Sequence, residues 1–253
     1  MLGNPLLELW KRKEMAYTGW LTIPCAWTAE VMARAGFDAL VLDLQHGLMD
    51  QAGMLGMLQA IGTTGVPALV RASWNEPSGL MRALDAGAYG VICPMISTAA
   101  DCEAFVAACR YPPRGFRSFG PTRSQVSIGA DYGARAESFA LTFALIETAE
   151  GLANLEAIAS VPGLTGLYLG PWDLSLALGL PTPGDLADPD LSRACGALLA
   201  TARRHGLIPG IYTGSAEDGN RMAAQGFRLV NIAQDTALLQ RSAAAVVRKA
   251  RPR

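Results

Sequence analysis

Eight short apolar, β-prone runs recur along the chain: GWLTIP (19–24), FDALVLDL (37–44), VPALVRA (66–72), AYGVICPM (88–95), LTFALIE (141–147), LTGLYLG (164–170), LIPGIYT (207–213) and FRLVNIA (227–233). Between them lie good helix formers with apolar residues at helical spacing, such as TAEVMARAG, SGLMRALDAG and TAADCEAFVAACR. Glycine followed by an apolar residue closes several of these stretches, at Gly36, Gly65, Gly87 and Gly226, which is a helix-end signal. Strands that alternate with helices pair in parallel through right-handed crossovers. Eight such units predict an α/β fold, a closed (β/α)8 TIM barrel taking residues 1–253 as a single domain. An open doubly wound sheet is the alternative, weakened because no GxGxxG fingerprint follows any run.

A chain that is 51% hydrophobic can fill so large a core, and a formal net charge of -1 provides no electrostatic case for nucleic acid or an acidic membrane surface. The opening MLGNPLLELWKRKEMAY places its charges after a short apolar patch, which predicts neither a signal peptide nor a transmembrane segment. Cys25, Cys93, Cys102, Cys109 and Cys195 are odd in number and contain no CxxC pair. They read as free thiols in a reducing compartment, which predicts a cytoplasmic protein. Residues 111–138 are irregular and carry Arg114, Arg117 and Arg123, which predicts a loop over the active face or a subunit contact. The apolar pattern from about 234 to 250 predicts a final amphipathic helix.

In such a barrel the chemistry sits at the C-terminal strand ends. The second run ends with Asp43, Gln45 and His46, the third with Arg71 and the fifth with Glu147. The sixth continues into Gly170-Pro171-Trp172-Asp173, the seventh ends near Tyr212 and Thr213, and the eighth near Asn231 and Gln234. Charges are rarely placed where a buried strand ends unless something compensates them. Glu147 and Asp173 are hard oxygen donors suited to Mg²⁺ or Mn²⁺. Each also precedes a helical stretch that it could cap. His46, three residues after Asp43, suits a general base oriented by that carboxylate, an exposed turn histidine being the alternative. His205 follows Arg203-Arg204 and reads as a cation at a helix C-terminus. The lysines, Lys11, Lys13 and Lys249, all lie in the terminal regions. Schiff-base or pyridoxal chemistry needs a lysine inside the barrel, so carbanion chemistry here requires a metal as electron sink.

The segments AGFDALVLDLQHGLMD, PALVRASWNEP, LDAGAYGVICPMISTAADCEAFVAACRYPPRGFRSFGPTR and ALIETAEGLANLEAIASVPGLTGLYLGPWDLSLALG resemble the HpcH/HpaI aldolases, the class II pyruvate aldolases typified by 4-hydroxy-2-oxoheptanedioate aldolase. The resemblance covers roughly residues 15–235. It implies a TIM barrel of the phosphoenolpyruvate/pyruvate type and cleavage of 4-hydroxy-2-oxo acids to pyruvate and an aldehyde. It implies that Glu147 and Asp173 hold a divalent cation (Mg²⁺, Mn²⁺ or Co²⁺), which pyruvate chelates through its carboxylate and keto oxygens. Backbone N–H groups around Gly170, Trp172 and Asp173 would receive the pyruvate carboxylate. Arg71 would stabilise the enolate, and His46, oriented by Asp43, would act as base through a water. Trp20 matches an aromatic that walls the pyruvate pocket. The resemblance further implies a hexamer, a trimer of dimers with exchanged final helices.

Two positions depart from that pattern: the family usually carries Glu where this chain has Gln45, and commonly Gln where it has Leu145. Both bear on substrate choice and water placement rather than on a proposed ligand. Two rival readings share the barrel. One is a citrate-lyase-β-like CoA-ester lyase using the arginines of residues 110–123 for the CoA phosphates. The other is a non-catalytic metal-binding barrel.

Overall fold

The computed structural model of the protein describes residues 3–251. Each apolar run becomes a strand: β1 (Ala16–Leu21), β2 (Ala39–Asp43), β3 (Ala68–Arg71), β4 (Gly90–Cys93), β5 (Leu141–Ile146), β6 (Gly166–Leu169), β7 (Ile208–Tyr212) and β8 (Leu229–Gln234). The strands pair in parallel in chain order and β8 returns to β1, so the sheet is a closed barrel. Closure leaves no sheet edge, which excludes the open doubly wound alternative. β1 begins earlier than its apolar run because β8 supplies acceptors further down, the Ala16 amide donating to the Arg228 carbonyl at 2.9 Å.

Helix α1 (Pro5–Lys11) precedes the barrel, and α2 (Ala26–Ala33), α3 (Gln51–Gly62), α4 (Pro77–Asp85) and α5 (Ala99–Cys109) follow the first four strands. Two short helices, α6 (Thr122–Ser127) and α7 (Tyr132–Phe139), lie in the connection to β5. After β5 come α8 (Ala149–Ala153) and α9 (Leu155–Ala159), and after β6 come α10 (Pro171–Ala177) and α11 (Pro189–His205). The last two are α12 (Ala216–Gln225) and α13 (Asp235–Ala250). Side chains fix several starts. Asp50, Glu76 and Ser215 each accept the amide three residues on, and Thr98 with Asp101 forms a reciprocal capping box. His205 closes α11 beside Arg203 and Arg204, as its position predicts.

Alternation along each strand divides the core in two. Outward-facing Leu40, Leu42, Val70, Val91, Ala144 and Leu167 pack against the helices, whereas inward-facing Trp20, Val41, Leu69, Ile92, Phe143 and Tyr168 fill the barrel. Helix α1 closes the N-terminal end of that interior. Leu6 and Trp10 are buried there, Trp10 stands edge-on to Phe143 at 6.0 Å, and its indole N–H donates to the Arg228 carbonyl at 3.0 Å. Burying each such side chain contributes about 1.5–3 kcal/mol. The plug leaves the C-terminal end for the cleft.

Residues 111–138 lie at the end opposite that cleft, so the expected cover over the active face is corrected. The segment follows a helix and precedes a strand, and such a connection runs along the N-terminal rim. Its arginines bind the C-terminal parts of helices there. Arg117 is buried against Asp85 at 2.6 Å and stacked on Tyr111, while Arg123 donates to the carbonyls of Ala86 and Leu58. Arg114 pairs with Glu137. In α13, residues 239–250 are exposed throughout, including Leu239, Val246 and Val247. No helix among the described residues is long and apolar enough to cross a membrane. The five cysteines are free thiols, all buried except the partly exposed Cys25.

Candidate active site

A cleft of about 390 Å³ opens at the C-terminal end of the barrel, and Trp20, Asp43, His46, Arg71, Glu147, Gly170, Trp172 and Asp173 all line it. Leu145, Tyr168, Pro171, Tyr212 and Gln234 complete the wall.

The parallel register of β2 and β3 sets Asp43 beside Arg71. Both side chains point inward, and the guanidinium grips the carboxylate with two bonds, Nε to Oδ1 at 2.9 Å and Nη2 to Oδ2 at 2.5 Å. The Trp20 indole N–H donates to Oδ2 at 3.0 Å, and the Arg71 guanidinium lies 5.1 Å over the Trp20 ring. Burial pushes the Asp43 carboxyl up, but the Arg71 bonds and charge, with Trp20, outweigh it and hold the carboxyl below its ordinary value. Asp43 is therefore an anion at neutral pH. Arg71 Nη1 makes no hydrogen bond among the described residues, which leaves a donor for a ligand.

His46 is exposed in the turn after β2. Asp43 reaches it through the main chain, Oδ1 accepting the Gln45 and His46 amides at 3.0 and 3.1 Å. The expected contact with the imidazole is replaced by a contact with the turn that carries it, because both carboxylate oxygens are already committed to Arg71 and Trp20. The Gln45 side-chain carbonyl is buried without a partner, and Leu145 presents apolar surface to the cleft.

Glu147 follows β5 directly and is 2% exposed. Its Oε1 accepts the Met95 amide at 2.9 Å, and Met95 itself holds a left-handed φ of 57°. Its Oε2 faces Gly170, where a Cβ would stand only 2.6 Å away, so this close approach requires glycine. Burial pushes the Glu147 carboxyl up to about 7, the Met95 bond opposes the rise, and the charge of Asp173 adds to it. Asp173 lies exposed in the first turn of α10. Neither acid caps its helix, since the cap positions belong to Thr148 and Gly170. Among the described residues no group of three or more His, Cys, Asp or Glu side chains clusters as metal ligands. The donor set suits a hard divalent cation even so. Two carboxylates whose mutual repulsion a cation would relieve face one cleft, and such ions complete their shell with water and substrate oxygens.

At the head of α10 one expected donor is already spent, because the Gly170 amide donates to the Ile146 carbonyl at 3.1 Å. The amides of Trp172 and Asp173, in the first helical turn, have no intrahelical acceptor and remain for a carboxylate. Beside them stands an aromatic wall. Tyr212 meets Trp172 edge-on at 5.2 Å and Trp20 at 5.2 Å, and its hydroxyl donates to Gln234 Oε1 at 3.1 Å.

Sequence reasoning named Tyr212 and Gln234 only as strand ends and passed over Tyr168, which sits inside an apolar run. The alternation Gly166, Tyr168, Gly170 is the signal that could have placed Tyr168 on the inner face. Thr213 and Asn231 do not line the cleft; they tie β7 to β8 through Asn231 Nδ2 donating to the Thr213 carbonyl at 3.0 Å. The Met95 amide had no sequence signal, since every non-proline residue carries one.

The sequence pattern described as HpcH/HpaI aldolase/citrate lyase matches residues 19–242. The hydroxypyruvate/pyruvate aldolase of Rhizorhabdus wittichii is 39% identical over 98% of this chain and 99% of its own. The 4-hydroxy-2-oxo-heptane-1,7-dioate aldolase of Salmonella dublin is 34% identical over 90% of this chain and 87% of its own. The crystal structure of an HpcH/HpaI aldolase/citrate lyase family protein from Burkholderia cenocepacia superposes with a TM-score of 0.89 at 30% identity, covering 98% of this chain and 99% of that one. With the same barrel, and with its charged strand ends gathered in one cleft, the chain belongs to the HpcH/HpaI aldolase/citrate lyase family.

Proposed function

We propose that the protein is a divalent-metal-dependent aldolase that reversibly cleaves 4-hydroxy-2-oxo acids to pyruvate, or a close relative of pyruvate, and an aldehyde. The observation that carries this reading is the meeting of Glu147, Asp173, Arg71 and His46 around one cleft. In the cleavage direction the C3–C4 bond breaks and its electron pair moves toward the C2 keto oxygen as an enolate. The 4-hydroxyl gives its proton to a base as the aldehyde carbonyl forms, and a proton then returns to C3. A cation held by Glu147 and Asp173, whether Mg²⁺, Mn²⁺ or Co²⁺, would supply Lewis-acid polarisation of the keto oxygen.

This chain's own residues supply the rest. Arg71, locked by Asp43 and Trp20, presents Nη1 to the developing oxyanion, a preorganised donor in a largely water-excluded wall. The Trp172 and Asp173 amides receive the substrate carboxylate at the positive end of α10. His46, exposed at the mouth, takes and returns the hydroxyl proton through a water. Asp43 positions both partners: Arg71 by charge, and His46 through its turn.

The CoA-ester alternative loses support on charge. Arg110 donates to the Ala140 and Gly163 carbonyls, and with Arg114, Arg117 and Arg123 it lies at the far end of the barrel, away from any acyl group in the cleft. We further propose that residues 1–253 act as one cytoplasmic domain within a hexamer. The free cysteines favour the location, and the exposed apolar residues of α13 favour exchange of that helix between subunits.

A coupled assay for pyruvate release from 4-hydroxy-2-oxo acids, with and without a chelator, tests the activity. Metal-dependent release is expected. Metal binding with no pyruvate from any such acid would refute it and leave the non-catalytic barrel.

A further inference from the structure

Beside the charged groups that the reaction uses, the cleft carries an aromatic wall of a different kind. Charge is the first observation. Of the side chains lining the cleft, Asp43, Glu147 and Asp173 are acidic, and Arg71 and His46 are basic. Asp43 and Arg71 cancel each other as a doubly bonded pair. Glu147 and Asp173 cancel a divalent cation. A bound 2-oxo acid then brings one negative charge, with His46 the remaining basic group. An acceptor aldehyde with its own carboxylate, sulfonate or phosphate would add a second negative charge, and among the described residues the lining offers no further cation to receive it.

The makeup of this aromatic wall is the second observation. Trp172, Tyr212 and Trp20 stand edge-to-face there, as apolar surfaces with little rotational freedom. Gln234 accepts from the Tyr212 hydroxyl at 3.1 Å, and one of its two N–H bonds leans toward Thr22 Oγ1 at 3.4 Å. That leaves one amide N–H and the phenol lone pairs for a ligand. Such a wall offers a C–H surface with one donor and one acceptor, which matches a short chain bearing hydroxyls.

We infer that the acceptor in the direction of synthesis is a short, uncharged hydroxyaldehyde, seated against the Trp172–Tyr212 pair with a hydroxyl on Gln234, and that aldehydes with an anionic tail are disfavoured. The inference rests on the aldolase reading. The bond chemistry is the same: pyruvate C3 gives up a proton and joins the aldehyde carbon, whose oxygen takes a proton.

Length-matched acceptors test it on the Mn²⁺-loaded enzyme with pyruvate: glycolaldehyde against glyoxylate, and 4-hydroxybutanal against succinic semialdehyde. The neutral member of each pair is expected to have a kcat/KM higher by about tenfold or more. An equal or better anionic member overturns the inference. Deuterium exchange into the pyruvate methyl group in D₂O separates the two levels, because it needs no acceptor. Exchange without a neutral preference overturns the inference alone, whereas neither exchange nor aldol product overturns the aldolase reading and the inference with it. Gln234→Arg places a cation on the wall and should raise the anionic-to-neutral ratio of kcat/KM by about tenfold. Both rates come from one preparation, so the ratio does not depend on the fraction of folded enzyme. An unchanged ratio refutes the placement of Gln234.

Discussion

Asp43 is buried, and five donors from four residues converge on it, so Asp43→Asn is an informative substitution. The shape is kept and only the charge and one acceptor are lost. The remaining carbonyl can still accept the Gln45 and His46 amides and Arg71 Nε, but the new NH₂ group would face two donors, Arg71 Nη2 and Trp20 Nε1. Removing one partner of a buried ion pair typically costs about 3–5 kcal/mol, much of it from the charge left behind. Arg71 is 12% exposed at its side chain, which favours the lower end, about 3 kcal/mol. For a chain of this size that corresponds to a Tm lower by about 6–12 °C. Urea unfolding should show the same loss as a lower midpoint at constant m-value.

The pH dependence supplies a second check. The folded Asp43 carboxyl titrates below its ordinary 3.8, so its stabilisation is complete above that value and disappears as pH falls through the folded value. The gap between wild type and variant should hold from pH 8 to about pH 5 and close only below about pH 4. A loss under about 1 kcal/mol at pH 7, or a gap that closes between pH 5 and 7, would refute the assignment of Asp43 as the charged anchor of Arg71.

Glu147 is half-protonated near neutrality in the metal-free protein, so cation binding should displace a proton. Affinity should fall about tenfold per pH unit below 7, and calorimetry at pH 6 should show a heat that changes with buffer protonation enthalpy; a buffer-independent heat refutes this. The raised value also stabilises the metal-free fold by up to about 3 kcal/mol below the ordinary 4.5, a contribution lost as pH rises through about 7. Gly170→Ala would place a Cβ 2.6 Å from Glu147 Oε2, and the carboxylate must shift. Metal affinity should weaken about 10–100-fold, measured by titration, with a stability loss of about 1–3 kcal/mol; unchanged affinity refutes the close approach. Arg71→Lys keeps the charge but loses the fork, and kcat should drop about 100-fold or more in steady-state assays. Near-wild-type kcat would remove Arg71 from the oxyanion.

The strands were readable because parallel strands buried on both faces appear as unbroken apolar runs. Asp43, Arg71, Glu147 and Asp173 were readable because a charge at the end of such a run needs a reason. Helix α1 was not, since an amphipathic pattern of 7 residues has too few turns to register. The side of the barrel taken by residues 111–138 follows from chain order, a helix before and a strand after, and composition alone pointed the other way.

By itself, then, the amino-acid sequence determined an eight-stranded barrel and the residue types at its reacting end. Only the tertiary structure decided who holds whom. A three-residue spacing pairs Asp43 with His46, but the register of β2 on β3 assigns its carboxylate to Arg71. Local spacing ranks neighbours along one chain segment. The partners of a buried charge are set by strands that meet across the fold, where low dielectric makes the wrong pairing costly.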